Sequence, residues 1–254
     1  MVDCSDFYFN RIYLYLADKL LRSPQHFSTN RKSENIYELI DWNFRLWKPE
    51  NCFATLRNMS MPYLEGELDF YISGSPFLAD IEKYSKFWKG VSDDDRSINS
   101  NYGKLLMYDR NVNNWTQFEY AKNALIRNED TKKAVMVVYS PDNSRVSNDN
   151  PCTMYLQFFV REGSLDLYVK MRSSDVWFGL PYDVPFFVYL LFKMHKELKE
   201  FYPDLLIGSY NHQSGSLHLY DRNRSQLEEC VVSNCKDVEE DQYNMFMKYI
   251  GARL

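Results

Sequence analysis

Cys152 follows Pro151 at the mouth of the apolar run TMYLQFF (153–159). Such a cysteine packs as a small hydrophobe, or it attacks as a thiolate where a cation lowers its pKa from about 8.5. Arg172, Ser173 and Asp175 close a second alternating run and supply a cation and a carboxylate. Glu67 lies between Leu64 and Leu68 in MPYLEGELDFYISG (61–74), and Asp183 lies between Tyr182 and Val184 before a long apolar stretch. His218 and Tyr220 alternate in GSLHLYDRN (215–223). A thiol with acids able to move protons is the equipment of covalent catalysis. Each residue also has a structural reading. Glu67 would be a boundary carboxylate in water, Asp183 a helix N-cap, Arg172 to Asp175 a solvated turn, and His218 with Tyr220 a bonded core pair.

The elements that must position these residues mix helices and strands without βα alternation, which predicts an α+β fold. Ile12 to Leu21 reads as an amphipathic helix, and residues 61–74 as a helix closed by Gly74. Residues 115–130 form another helix, and 132–140 a strand stopped by Pro141. Residues 153–175 read as two strands joined by a turn at Glu162-Gly163. Residues 184–202 are apolar enough for a largely buried helix, and 215–223 form a last strand or loop edge.

With 254 residues, the chain predicts one large domain spanning 1–254. A net charge of −5 without a long basic run argues against direct nucleic-acid binding. No apolar stretch reaches about 18 residues, so no membrane span is expected. The acidic N-terminus does not read as a signal peptide, which points to the cytoplasm. The five cysteines show no metal-ligand spacing, and their odd number argues against a disulfide framework. No metal site is expected. The aromatic content of 17% fits either a bulky core or flat ligands stacked on rings.

The segment NPCTMYLQFFVREGSLDLYVKMRSSDVWFGLPYDVPFFVYLL resembles the catalytic half of the thymidylate synthase family. That family has a Pro-Cys nucleophile, a strand pair, Arg-Ser-x-Asp, and Leu-Gly-Leu-Pro-Phe-Asn before a buried helix. This chain has Pro151-Cys152, Arg172-Ser173-Ser174-Asp175 and Phe178-Gly179-Leu180-Pro181-Tyr182-Asp183. SLHLYDRN is similar to the family's Thr-His-Leu-Tyr-Ser-Asn, GELDFYISGS to its glutamate helix, and NSNYGKLL to its Tyr-Gly-Lys stretch. RKSENIYELIDWNFRL lies on the N-terminal phosphate loop and first strand, which places Arg31. Several departures are shared with the family's phage-type deoxycytidylate hydroxymethylases: Thr153 after the nucleophile, Met171 before Arg172, and Asp183 in place of asparagine. Lys132-Lys133 stands where the family has an arginine pair given across the dimer. A lysine is a point charge without the bidentate guanidinium fork.

The resemblance implies a mixed sheet flanked by helices, dimerising through the sheet. It implies Cys152, Glu67, Tyr102 and Asp175 as catalytic residues. It also implies Arg31, Arg172, Ser173, Asp183, His218, Tyr220, Lys132 and Lys133 as nucleotide-binding ones. The cofactor implied is 5,10-methylenetetrahydrofolate, and the substrate dCMP. The expected reaction is hydroxymethylation at carbon 5. The alternatives are a dCMP or dUMP methylase, a CMP hydroxymethylase, and a catalytically dead nucleotide-binding scaffold.

Overall fold

The computed structural model describes residues 2–30, 33–141, 147–233 and 242–254. Arg31 lies outside them. Among the described residues, seven strands form one mixed sheet: β1 (Cys4–Asp6), β2 (His26–Thr29), β3 (Asn35–Leu46), β4 (Val135–Val137), β5 (Thr153–Arg161), β6 (Ser164–Asp175) and β7 (Leu206–Tyr220). The order is β1-β3-β7-β6-β5-β4, with β2 on β3. β1 pairs parallel with β3, and β6 parallel with β7; the other pairs are antiparallel.

The expected hairpin is present. Arg161 pairs with Ser164, and between them Glu162 and Gly163 have φ of 51° and 73°. Two left-handed residues in a two-residue loop twist as the flanking strands do. Along β5 and β6, Leu156, Phe158, Val160, Leu165, Leu167 and Val169 are buried, while Tyr155, Gln157, Phe159, Tyr168 and Lys170 between them are not. One face of this part of the sheet therefore enters the core. β7 runs nine residues further upstream than its predicted start at 215, because β3 and β6 pair with it on its two sides. The predicted strand 132–140 shortens to Val135–Val137 at the sheet edge.

Helix α1 (Phe9–Arg22) buries Phe9, Ile12, Tyr13, Leu16, Ala17 and Leu20, the stripe its spacing predicts. In α2 (Met61–Ser73), the Ser60 hydroxyl caps the Tyr63 N–H, and Gly74 closes the helix at φ 66°. Two short helices, α3 (Ala79–Glu82) and α4 (Phe87–Val91), follow. In α5 (Gln117–Arg127), Thr116 and Glu119 form a reciprocal capping box. Helix α6 (Leu180–Leu198) is the crossover between parallel β6 and β7. It starts four residues before the expected 184, since Pro181 is tolerated in a first turn. Asp183 is consequently inside that turn rather than its cap, which is Gly179. α7 (Arg224–Ser233) and α8 (Tyr243–Tyr249) complete the α-helices among the described residues.

Tyr102 packs flat on Tyr71, with ring centroids 5.2 Å apart and planes 11° off parallel. The next residue is Gly103, where a Cβ would sit 1.6 Å from the Tyr71 carbonyl oxygen. Only glycine permits that approach. A Gly103→Ala variant must therefore separate α2 from the Tyr102 loop. Chemical denaturation is expected to show a loss of at least ~2 kcal/mol.

Candidate active site

β6, α6, β7, α2 and the loop before β5 converge on a cavity of about 760 Å³, within the usual range for small-molecule sites. Cys152, Glu67, Tyr102, Arg172, Ser173, Asp175, Asp183, His218 and Tyr220 all line it. Lys132 and Lys133 are exposed on the approach to β4 and do not line it.

The backbone explains most of this convergence. Asp175 ends β6 directly opposite His218 of β7 in the parallel register. Five residues later α6 begins, and its first turn brings Asp183 back to the same wall. The Cys152 carbonyl accepts the Arg172 N–H (2.8 Å), and the Arg172 side chain donates to the carbonyls of Pro151 (3.0 Å) and Asn150 (2.9 Å). The Cys152 N–H donates to the Tyr102 hydroxyl at 3.3 Å.

The titratable groups are shaped by burial. Burial pushes the Cys152 thiol up, Arg172 opposes this, and Asp183, Asp175 and Asp149 add to it. Glu67 is only 8% exposed, contrary to its reading as a water-facing boundary residue. Burial pushes its pKa up to about 7, against a 2.7 Å hydrogen bond from the Tyr63 hydroxyl. Burial also raises Asp175, with His218 and the N–H groups of Trp177 and Phe178 opposing. Asp183 is pushed well above the carboxylate range by burial, then by Glu67 and Asp175. Its carboxyl group makes no side-chain hydrogen bond among the described residues. His218 and Tyr220 meet edge to face at 5.1 Å, and His218 Nδ1 lies 3.3 Å from the Ser216 carbonyl. The bonded pair expected of them is thus a ring contact instead.

Four residues that the sequence reading passed over belong here. Tyr63 bonds Glu67 and accepts the Trp88 indole N–H at 3.1 Å; it lies one turn before Glu67, at i−4. Arg57, 7% exposed, sits 4.6 Å from Trp177 and 5.3 Å from Tyr182 and donates to the Tyr182 hydroxyl. Its Nε is buried without a partner among the described residues. An arginine inside the apolar stretch 52–64 was the available signal. Arg222 stacks on Tyr220 at 4.2 Å and pairs with Glu34. Asp149 bonds the Asn99–Ser100 backbone.

Residues 11–242 match the family model described as thymidylate synthase. The chain belongs to the thymidylate synthase family. It is 31% identical over 221 residues to the deoxycytidylate 5-hydroxymethyltransferase of Enterobacteria phage T6, covering 84% of this chain and 85% of that one. It is 29% identical over 179 residues to the deoxyuridylate hydroxymethyltransferase of Bacillus phage SP01, covering 66% and 45%. To the thymidylate synthase of Vesicomyosocius okutanii it is 20% identical over 217 residues, covering 83% and 79%. Family and relatives support a one-carbon transferase. No helix among the described residues is long and apolar enough to cross a membrane.

The Glu67 shift makes a stability prediction. Its folded pKa exceeds the unfolded value, so the folded state binds the extra proton between pH 4.5 and about 7. The stabilisation is full below that window and is lost as pH rises through 7. Glu67→Gln should remove this contribution, worth roughly 3 kcal/mol. Urea denaturation of both proteins at pH 4.5 and pH 8 reads the difference.

Proposed function

We propose that the chain is a dCMP 5-hydroxymethyltransferase formed as one catalytic domain over residues 1–254. The observation that carries this is Asp183. Its carboxyl lines the cavity with no hydrogen-bond partner among the described residues, and burial beside Glu67 and Asp175 favours its protonated form. A neutral carboxyl offers one O–H donor and one C=O acceptor. Cytosine offers the complement, a ring-nitrogen acceptor beside an amino donor. Uracil presents an N–H beside a carbonyl, which an asparagine amide fits.

In this reading Cys152 adds as thiolate to carbon 6 of the pyrimidine, making carbon 5 nucleophilic. Arg172 lowers the cost of the thiolate and, with Ser173, binds the phosphate. Arg31 and the partner subunit's lysine pair are assigned to the same phosphate, Lys132 and Lys133 being outside their own chain's cavity. His218 and Tyr220 hold the sugar hydroxyl. Tyr102 takes part in proton movement, and Asp175 orients base or pterin. Glu67, with a pKa near neutrality, organises water for addition to the exocyclic methylene carbon and exchanges the protons. Departure of the thiolate then leaves the hydroxymethyl group.

The residues present fit a folate. Trp88, Trp177 and Phe178 line the cavity, and the buried Arg57 Nε has no acceptor among the described residues. Methylenetetrahydrofolate would supply the one-carbon unit when bound there.

The homodimer is part of the proposal. Tyr155, Gln157, Phe159, Tyr168 and Lys170 stand on the sheet face turned from the core and surround a hollow of about 300 Å³. Tyr155→Asp at that face should convert a dimer to a monomer in sedimentation equilibrium. A wild-type protein sedimenting as a monomer would sink this part.

The deciding experiment is mass spectrometry of the product after incubation with methylenetetrahydrofolate and either dCMP or dUMP. Wild type should yield hydroxymethyl-dCMP and leave dUMP unchanged. Asp183→Asn should move the preference toward dUMP by a factor of ~10² or more, since a mismatch leaves buried polar groups unpaired. Cys152→Ala should abolish turnover on both. A methyl product would move the enzyme to the reductive branch, and no shift in Asp183→Asn would remove the base assignment.

A further inference from the structure

Two segments far apart in sequence are bound together beside Cys152. Asp149 is 4% exposed and stands three residues before the cysteine. Its Oδ2 accepts the backbone N–H groups of Asn99 and Ser100 (3.1 Å to Ser100), and its Oδ1 accepts the Ser100 hydroxyl. Next to it, Asp93 accepts from the Ser147 hydroxyl (2.6 Å) and the Asn148 N–H (2.8 Å). Each segment runs directly into the site, one to Cys152 and the other to Tyr102, which are themselves joined by the 3.3 Å bond. On the far side, Arg172 holds the carbonyls of Asn150 and Pro151.

We propose that Asp149 is a positioning residue for the reaction, stapling the loop that carries Cys152 to the loop that carries Tyr102. The proposal rests on Cys152 being the nucleophile. A carboxylate suits the task because it is an acceptor at both oxygens and can take three donors from one short turn. Its charge has a cost at the thiol. The groups acting on Cys152 are Arg172 and Asp175 of β6, Asp183 of α6 and Asp149 on its own loop, with the Tyr102 hydroxyl at its N–H. Arg172 favours the thiolate and the three acids oppose it. Asp149 therefore hinders ionisation of the thiol it positions, which argues that position is what it contributes.

Two variants of the full chain separate charge from bonding. Asp149→Asn removes the charge but keeps an oxygen for both N–H groups and an amide N–H for the Ser100 hydroxyl. Asp149→Ala removes the charge and all three bonds. Asp149→Ala should lower kcat on dCMP by about 10²-fold with KM for dCMP changed by less than about threefold, whereas Asp149→Asn stays within about fivefold of wild type. In both variants the pH midpoint for alkylation of Cys152 by iodoacetamide, followed by peptide mass spectrometry, should move down, because both lose the like charge. A folded Asp149→Ala with kcat within about threefold of wild type overturns the proposal. So does an Asp149→Asn as slow as Asp149→Ala, since the charge would then carry the effect. If Asp149→Ala does not fold, Ser100→Ala, which lacks one bond, should lower kcat by roughly fivefold, and an unchanged kcat overturns the proposal. Wild-type protein that turns over neither dCMP nor dUMP would remove the functional reading instead. The staple is then read from alkylation above the midpoint, where equal Cys152 rates in the Ala and Asn variants overturn it.

Discussion

Three carboxyl groups line one cavity, and among the described residues none of them is in an ion pair, though the charges of His218 and Arg222 oppose the rise of Asp175. Glu67, Asp175 and Asp183 are each raised by burial, and Asp183 is raised further by the other two. The cavity also holds Arg57, Arg172 and Arg222, but these are otherwise engaged. Arg57 is stacked on rings, Arg172 holds two carbonyls, and Arg222 pairs with Glu34. An acid that is buried and unpaired takes up a proton rather than carry its charge. Burial therefore favours the protonated form of all three, and Glu67, raised to about 7, exchanges its proton near neutral pH. The site's one thiol meets the same penalty, relieved only where Arg172 faces it.

The fold produces this crowding by register and crossover. The parallel pairing of β6 and β7 sets Asp175 against His218, and α6 starts so soon after β6 that Asp183 returns to the same wall. A later helix start at residue 184 would have left Asp183 as a cap, its carboxylate bonded to backbone N–H groups and ionised. Starting at Leu180 instead, the helix puts Asp183 in its first turn, where a Cβ on residue 179 would sit 3.3 Å from the Asp183 carboxyl oxygen and glycine leaves that space open. The four-residue difference converts a structural acid into a group free to meet a ligand.

The parts legible in the sequence were those whose cause is local. Alternation in 153–175, the Glu162-Gly163 turn and the Gly74 cap each follow from neighbours within a few positions. The nine residues gathered in the cavity were legible through an ordered set of motifs, since taken singly each had a reasonable structural role. What escaped depends on distant contacts. Arg57 is explained only by Trp177 and Tyr182, and the burial of Glu67 only by the elements that close over α2. Asp149 reads as one polar residue in a polar loop until the Asn99–Ser100 backbone is seen against it. β7 reached further than its pattern because two neighbouring strands paired with it.

Glu67 unites these threads. Tyr63 accepts the Trp88 indole N–H and so must turn its own hydroxyl proton toward Glu67. One carboxyl oxygen is thereby fixed as an acceptor, and any proton on Glu67 belongs on the other. With its pKa pushed up to about 7, Glu67 takes up and releases that proton near neutral pH. Such a group can donate to a leaving atom in one step and accept from water in the next, at the same place and without rearrangement. In the proposed reaction carbon 5 gives up its proton through the Tyr102 network, the departing amine needs a proton donor, and the water that then adds at the new carbon needs an acceptor. A single acid held between its two states by burial, and aimed by one tyrosine, meets both requirements.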